Sequence, residues 1–511
     1  MNFKTLLLSS LLAISVAAVP ATQAFAQPKT DLVFGGNGAD VTQLDPHFAT
    51  TTTDRTLAAQ IYNALVRFAP GSTDPALIEP DLAERWDVSD DNLVWTFYLR
   101  PGVKWQKGLG EVSADDVVFS IQKAMNQDTS AFSADYSEFE SVEKIDDLTV
   151  RVTLKQQIPS LLGVLANYSG GFILPANATE PTGSGPFEIE TVTPGQSVHL
   201  VAHEDYFRGT PKITSLTHRF LPESAARDLA LLSGEVDAAF LIQDKNAVER
   251  TKAQDGIAVD VVAPAELALL HLNMNMPPMD DIRVRQALSH AIDRDAMAAF
   301  RGAEFTSAAQ SVIPSNNLGY TAEAGALGYD IEKAKALLAE AGYPNGVTIP
   351  VVATQDAGLM AMLQLVQGQF SEAGITLDIQ PVEHATWHQM IRQDLSPIVL
   401  YNAGRFPVAD FYLTQFFYGP SQIGGSAQVT NFSHCDIADA EIEAAKSEPD
   451  QAKQIALWEA AQVKILENVC AIPLIESRLL YARKDNLDWG YDYQGSMSNG
   501  PMVTELTHFT E

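Results

Sequence analysis

The 511-residue chain has little cysteine, a shortage of positive charge and none of the common catalytic signatures. Its 2 cysteines, Cys435 and Cys470, exclude a disulfide-stapled minidomain, and without C-x-x-C spacing a zinc ribbon is excluded too. Lys and Arg number 33 against 64 Asp and Glu, a formal charge of -31 at pH 7 that argues against phosphate backbones and anionic membrane surfaces, so no nucleic-acid partner is expected. After the N-terminal segment, no stretch approaches the roughly eighteen uninterrupted apolar residues of a membrane-spanning helix. H-E-x-x-H, G-x-S-x-G and G-x-x-x-x-G-K-[ST] are all missing, so neither an enzyme nor a cofactor is expected. Internal repeats and low-complexity segments are absent as well.

The first residues carry a different signal. Lys4 precedes the apolar run Leu6 to Val19, then Pro20 and the small-residue site Ala24-Phe25-Ala26. This reads as a secretory signal peptide over 1–26, cleaved after Ala26, with no cysteine nearby to take a lipid. A soluble periplasmic protein is expected. The 46% hydrophobic content supplies cores for two or three domains. In an oxidising compartment Cys435 and Cys470 read as a disulfide, which would stabilise by roughly 3 to 4 kcal/mol. The competing readings are two buried thiols, or a metal site using His434-Cys435.

Local patterns divide the chain. Asp31 to Gly35 reads as a strand, and Gly35-Gly36-Asn37-Gly38 as a turn rather than a phosphate loop, because Leu44-Asp45-Pro46 arrives before any helix. Thr50 to Thr53 with Asp54 can cap a helix carrying Leu57, Ile61, Tyr62 and Leu65. Trp95, Phe97 and Leu99 alternate with polar residues as a half-buried strand. Arg100-Pro101-Gly102 turns the chain, and Val103-Lys104-Trp105 reads as its return strand. Ser113 with Asp116 forms a capping box ahead of Val117, Val118, Ile121 and Met125. A hairpin is expected over 142–154, a boundary over Pro175 to Gly185, and a helix over 224–232 stopped by Gly234 before a strand at 237–242. After Pro264 come the apolar strand Leu267 to Leu272 and a βαβ unit: strand 348–353, a helix with Leu359, Met362, Leu363, Val366 and Phe370 on one face, and a strand with Ile375, Leu377 and Ile379. Ile472 to Tyr481 reads as a further strand.

Taken in order, P-x-L-A-E-x-W at 80–86, W-T-F-x-L-R-x-G-V-K-W at 95–105 and S-A-D-D-V-V-F-S at 113–120 resemble the family 5 bacterial solute-binding proteins, the peptide-, nickel- and opine-type receptors of ABC importers. Leu44-Asp45-Pro46-His47, Gly183-Ser184-Gly185-Pro186-Phe187, Gly234-Glu235-Val236-Asp237, Arg283 to Leu288 with Ala291 to Arg294, and Ala334 to Tyr343 extend the resemblance over nearly the whole mature chain. It implies an α/β periplasmic binding protein fold of the large three-domain type, two lobes around a ligand cleft with two crossing hinge segments. Domain I would comprise 27–68, 183–264 and 481–511, domain II, a strand-rich insert, 69–182, and domain III 265–480. It also implies capture of a peptide or peptide-like solute by hinge closure and delivery to an inner-membrane permease, by a monomer. An anionic opine-type or sugar-derived solute is the alternative, and a periplasmic hydrolase a more distant one.

The candidate binding segment runs from Tyr401 to Tyr412. Tyr401, Asn402, Arg405, Phe406 and Asp410, with Trp387, supply the aromatics and the opposite charges of a cleft wall. The other reading pairs Arg405 with Asp410 over an ordinary core. Peptide-binding relatives carry G-W, a loop and D-P-D here, one acid neutralising the peptide amine. Gly404-Arg405 and Val408-Ala409-Asp410 depart from that pattern, which makes Arg405 the expected main anchor. His384 and His388 share helical spacing but have Glu383 as their only adjacent carboxylate, so no metal site is expected. Asp115-Asp116 and Asp280-Asp281 read as helix caps.

Overall fold

The computed structural model describes residues 29–158, 161–166, 170–425, 430–497 and 500–510. The expected signal peptide and its expected cleavage site lie outside the described residues. In chain order, β1 (Asp31–Gly36) leads to α1 (Thr52–Ile61), the small pair β2 (Val66–Phe68) and β3 (Ile78–Pro80), then β4 (Ala83–Val88), β5 (Val94–Leu99), α2 (Ala114–Met125), β6 (Phe139–Asp146), β7 (Thr149–Leu154) and α3 (Leu161–Ala166). Next are β8 (Phe187–Thr193), β9 (Ser197–Ala202), β10 (Ser215–Phe220), α4 (Ser224–Ser233), β11 (Ala238–Phe240), α5 (Lys245–Lys252) and the long β12 (Ile257–Leu272). Then follow α6 (Ile282–His290), α7 (Arg294–Arg301), β13 (Thr306–Ala308), α8 (Ile331–Glu340), β14 (Val347–Thr354), α9 (Ala357–Glu372), β15 (Ile375–Val382), α10 (His384–Ile391), β16 (Ile398–Ala403), α11 (Ala409–Phe416), α12 (Asp439–Ser447), α13 (Gln451–Glu467) and β17 (Ala471–Lys484).

One sheet organises these elements, in the order β16-β12-β17-β11-β1-β10-β9-β8 with β13 beside β17. Its two central strands are 16 and 14 residues long and antiparallel. The half containing Ile257 to Val262 and Leu479 to Lys484 carries β11, β1 and the strands beyond; the half containing Glu266 to His271 and Ala471 to Ser477 carries β16 and β13. The ladder slips between Val262 and Glu266, so the two halves meet at an irregularity that contains Pro264. A proline cannot donate to a ladder and belongs at such a break.

Separate cores flank this strand pair. Leu32, Phe34, Leu57, Leu479, Tyr481 and Trp489 share one. On the other side Leu270, Leu288, Ile349, Val366 and Ile398 form a second, and Phe406, Tyr412, Phe416, Trp458 and Ile465 a third. A four-stranded sheet, β4-β5-β7-β6, packs on α2 around Phe97, Val117, Ile121 and Val150. Its helix starts with the capping box expected at Ser113 and Asp116. The expected return strand at Val103 to Trp105 does not form: only Lys104 bridges, to Glu111, because β4 and β7 already occupy both edges of β5.

Candidate functional site

The carboxyl end of β16 lies against the start of the second half of β12, and in α/β sheets solutes bind beyond the carboxyl ends of strands. Alternation sends Tyr401 and Asn402 to opposite faces. Tyr401 stacks on Trp387 at 5.9 Å and meets Phe416 and Phe432 at 5.8 and 5.3 Å. Trp387 is 2% exposed, packed with Ile391, Val399 and Phe432, so it backs the wall that Tyr401 forms. On the other face, the Asn402 amide Nδ2 donates to Glu266 Oε2 at 3.0 Å.

Past the strand end, the Arg405 backbone N–H donates to the Tyr412 hydroxyl at 3.1 Å, and that hydroxyl donates to the Ala403 carbonyl at 3.0 Å. These two bonds fix the turn. The Arg405 guanidinium lies 5.3 Å from the centre of the Phe416 ring, donating from Nε to Gln415 Oε1 at 2.7 Å and from Nη1 to the Gly404 carbonyl at 3.0 Å. Among the described residues it makes no ion pair with a carboxylate within 4.0 Å. It is a half-buried cation held by neutral acceptors.

Asp410 points elsewhere. It sits in the first turn of α11, accepts from the Thr414 hydroxyl at 3.3 Å, and burial pushes its pKa up against the pull of Lys446. Arg405 and Asp410 therefore do not pair. Phe406, also 2% exposed, packs on Phe411 and reaches Phe68 at 5.7 Å; a Cβ on Gly163 would stand 2.0 Å from its ring. Its role is contact with the neighbouring segment. The structure thus groups Asn402 and Arg405 at the strand end, places Tyr401 and Trp387 behind them, and separates Asp410 and Phe406.

Glu266, which the sequence reading passed over, completes the group. Burial raises its pKa, opposed by the Asn402 bond and by Arg301, with which it makes no ion pair among the described residues. In the sequence it stands only as a carboxylate just before the apolar run Leu267 to Leu270, two residues after Pro264. On the neighbouring strand Glu476, its pKa also raised by burial, accepts from the backbone and hydroxyl of Ser315.

The two histidines of α10 have their own partners: His384 Nδ1 lies 2.9 Å from the Thr354 hydroxyl and His388 Nδ1 3.0 Å from Arg392. Burial, with Arg392 and His384 nearby, pushes His388 down to about 4. Among the described residues no cluster of ligands could hold a metal ion. Cys435 and Cys470 are joined as a disulfide, which ties the segment before α12 to the start of β17.

The model of the bacterial extracellular solute-binding proteins, family 5 Middle, matches residues 78–423. Heme-binding protein A of Haemophilus influenzae is 31% identical over 458 residues, 82% of each chain. The dipeptide-binding protein of Escherichia coli K12 is 27% identical, covering 92% of this chain and 93% of its own. The solved structure of MoaA from A. tumefacien R10 in complex with mannopinic acid is 55% identical, with a TM-score of 0.85 over 94% of this chain and all of that one. The family model spans more than half of the chain and the Haemophilus influenzae relative covers four fifths of it, so the chain belongs to the family 5 bacterial extracellular solute-binding proteins.

Proposed function

We propose that this chain is the periplasmic solute receptor of an ABC importer, and that it captures a small peptide-like or opine-type organic acid between two lobes and presents it to an inner-membrane permease. The observation that carries the reading is Arg405: a guanidinium at the strand end, held by Gln415 and Gly404 and without a carboxylate partner among the described residues. A partly desolvated cation in that position favours an anion arriving from solution. The 55% identity to a protein solved with mannopinic acid supports the opine-type member of the class. Relatives that bind peptides support the wider one.

The division into domain I (27–68, 183–264, 481–511), domain II (69–182) and domain III (265–480) is supported by the two crossing strands, whose ladder breaks between Val262 and Glu266, while Leu65 and Val66 pack in the core of the four-stranded sheet and Phe68 in that of Phe406; a monomer is the working assembly. Closure about those strands lets solute stabilise one state only through contacts missing in the other. The test is calorimetric titration of the mature protein with mannopinic acid and a dipeptide, with mass spectrometry of the solute recovered. Saturable binding, a raised melting temperature and an intact solute support a receptor. Chemical conversion would support a hydrolase instead.

A further inference from the structure

In the 401–410 segment, Asp410 is the one acid available to meet a positively charged part of a solute. Its side chain accepts from the Thr414 hydroxyl and makes no ion pair with Arg405. A solute whose carboxylate sits on Arg405 needs any cationic group it carries to be met by another acid.

Glu266 satisfies three geometric conditions for that role. It lies at the carboxyl end of β16, next on the β12 ladder to the Leu267 and Ala403 pair, and therefore opposite Gly404. It is tied from one side only, by Asn402 on Oε2, and it makes no ion pair among the described residues. The space beside it is open: a Cβ built on Gly404 would meet nothing within 4 Å except Glu266 Cγ, at 3.7 Å. Gly404 thus offers Glu266 on its Cα side, while its carbonyl is held by Arg405. Gly404 is beside Glu266 in space and precedes Arg405 in sequence, and among the described residues neither charge has an ion-pair partner.

A carboxylate that burial disfavours and that has no ion-pair partner is a stability defect, and such defects persist where a ligand supplies the missing partner. We propose that Glu266 is the amine-binding residue of this receptor and meets the protonated amine of zwitterionic solutes. This rests on the receptor reading above. Arg301 acts on Glu266 without forming an ion pair among the described residues, and its own charge is penalised by burial and favoured by Asp244 as well as by Glu266.

The experiment is titration of wild-type protein, Glu266→Gln, Gly404→Ala and Asp410→Asn with mannopinic acid and with the dipeptide Met-Leu, alongside thermal melts without solute. For whichever probe binds, Glu266→Gln should weaken affinity at least thirty-fold while its solute-free melting temperature stays level or rises, since the neutral amide keeps the Asn402 contact and removes the buried charge. Gly404→Ala, which the free space admits, should lose at least ten-fold with an unchanged melt, because the methyl fills the niche. Asp410→Asn should lose less than three-fold. If wild-type protein binds neither probe, the solute class proposed above falls and this assignment with it. If wild-type binds and Glu266→Gln binds equally, or Asp410→Asn is the more damaging, the receptor reading stands and Glu266 is not the amine site.

Discussion

Arg405 and Asp410 have opposite environments despite being five residues apart, and the contrast gives a first expectation. Arg405→Ala should weaken solute binding by about 2 to 4 kcal/mol, and Asp410→Asn by less than about 1 kcal/mol, the range for removing a desolvated charge partner against a peripheral one; calorimetry on both variants checks it. The buried histidines give a second. His271 packs among Phe416, Phe417 and Phe432, both ring nitrogens lack a partner among the described residues, and burial pushes its pKa down to about 3. Its folded pKa lies below the unfolded 6.5, so the unfolded chain binds the extra proton. The stability this neutral ring contributes is complete above about pH 6.5 and is lost as pH falls toward 3, about 2 kcal/mol of it by pH 5. His271→Leu removes a titrating ring without breaking a hydrogen bond. Urea melts at pH 7.5 and 5 should then show an acid-induced loss about 2 kcal/mol smaller in the variant than in the parent, and equal losses would mean that the ring takes up its proton in the folded state.

Elements with a strong period were legible in the sequence, and those decided by neighbours were not. The βαβ unit was readable because Leu359, Met362, Leu363, Val366 and Phe370 recur at helical spacing between two runs that then pair in parallel as β14 and β15. Gly234 at φ 79° ends α4 where its sequence said it would. By contrast β12 looked like a six-residue strand beginning at Leu267, since Pro264 reads as a stop; tertiary pairing with β17 carries the strand through the proline at the cost of one ladder slip. Val103 to Trp105 failed for the same reason in reverse, its pattern being right and its edge taken. The site shows the same division: Arg405 and Asn402 could be named from their segment, whereas Glu266 becomes meaningful only when β12 is laid beside β16. At this scale the disulfide offers a third expectation. Cys435 and Cys470 are 35 residues apart, and constraining a loop of that size stabilises by about 3 to 4 kcal/mol in the chain-entropy account. A Cys435→Ala, Cys470→Ala double variant should lose that much in urea melts at pH 7.5 while keeping its solute affinity within three-fold, because neither cysteine borders Arg405 or Glu266.

The whole molecule depends on β12 and β17, the strands through which its main sheet runs from one side to the other, and a pair of strands bends more easily than the packed layers at its ends. Closure then has to be stabilised by contacts between segments far apart in sequence. Phe406 makes such a contact: it follows β16, yet its ring rests on Phe68 of β2 and over Gly163 of α3. Gly163 is the permissive partner, because a Cβ there would stand 2.0 Å from Phe406 Cζ and 2.7 Å from both ring ε carbons, distances no rotamer adjustment of a buried ring readily accommodates. Gly163→Val should therefore leave each core intact but hold the two sides apart. Its radius of gyration in small-angle scattering with saturating solute should stay at the solute-free value, and its affinity should fall by roughly 1 to 3 kcal/mol, the usual range for overpacking. Phe406→Ala relieves the clash, so adding it to Gly163→Val should restore part of the lost affinity, and that recovery separates blocked closure from a damaged α3. Unchanged scattering and unchanged affinity in Gly163→Val would mean that the two sides meet through other residues when solute is bound.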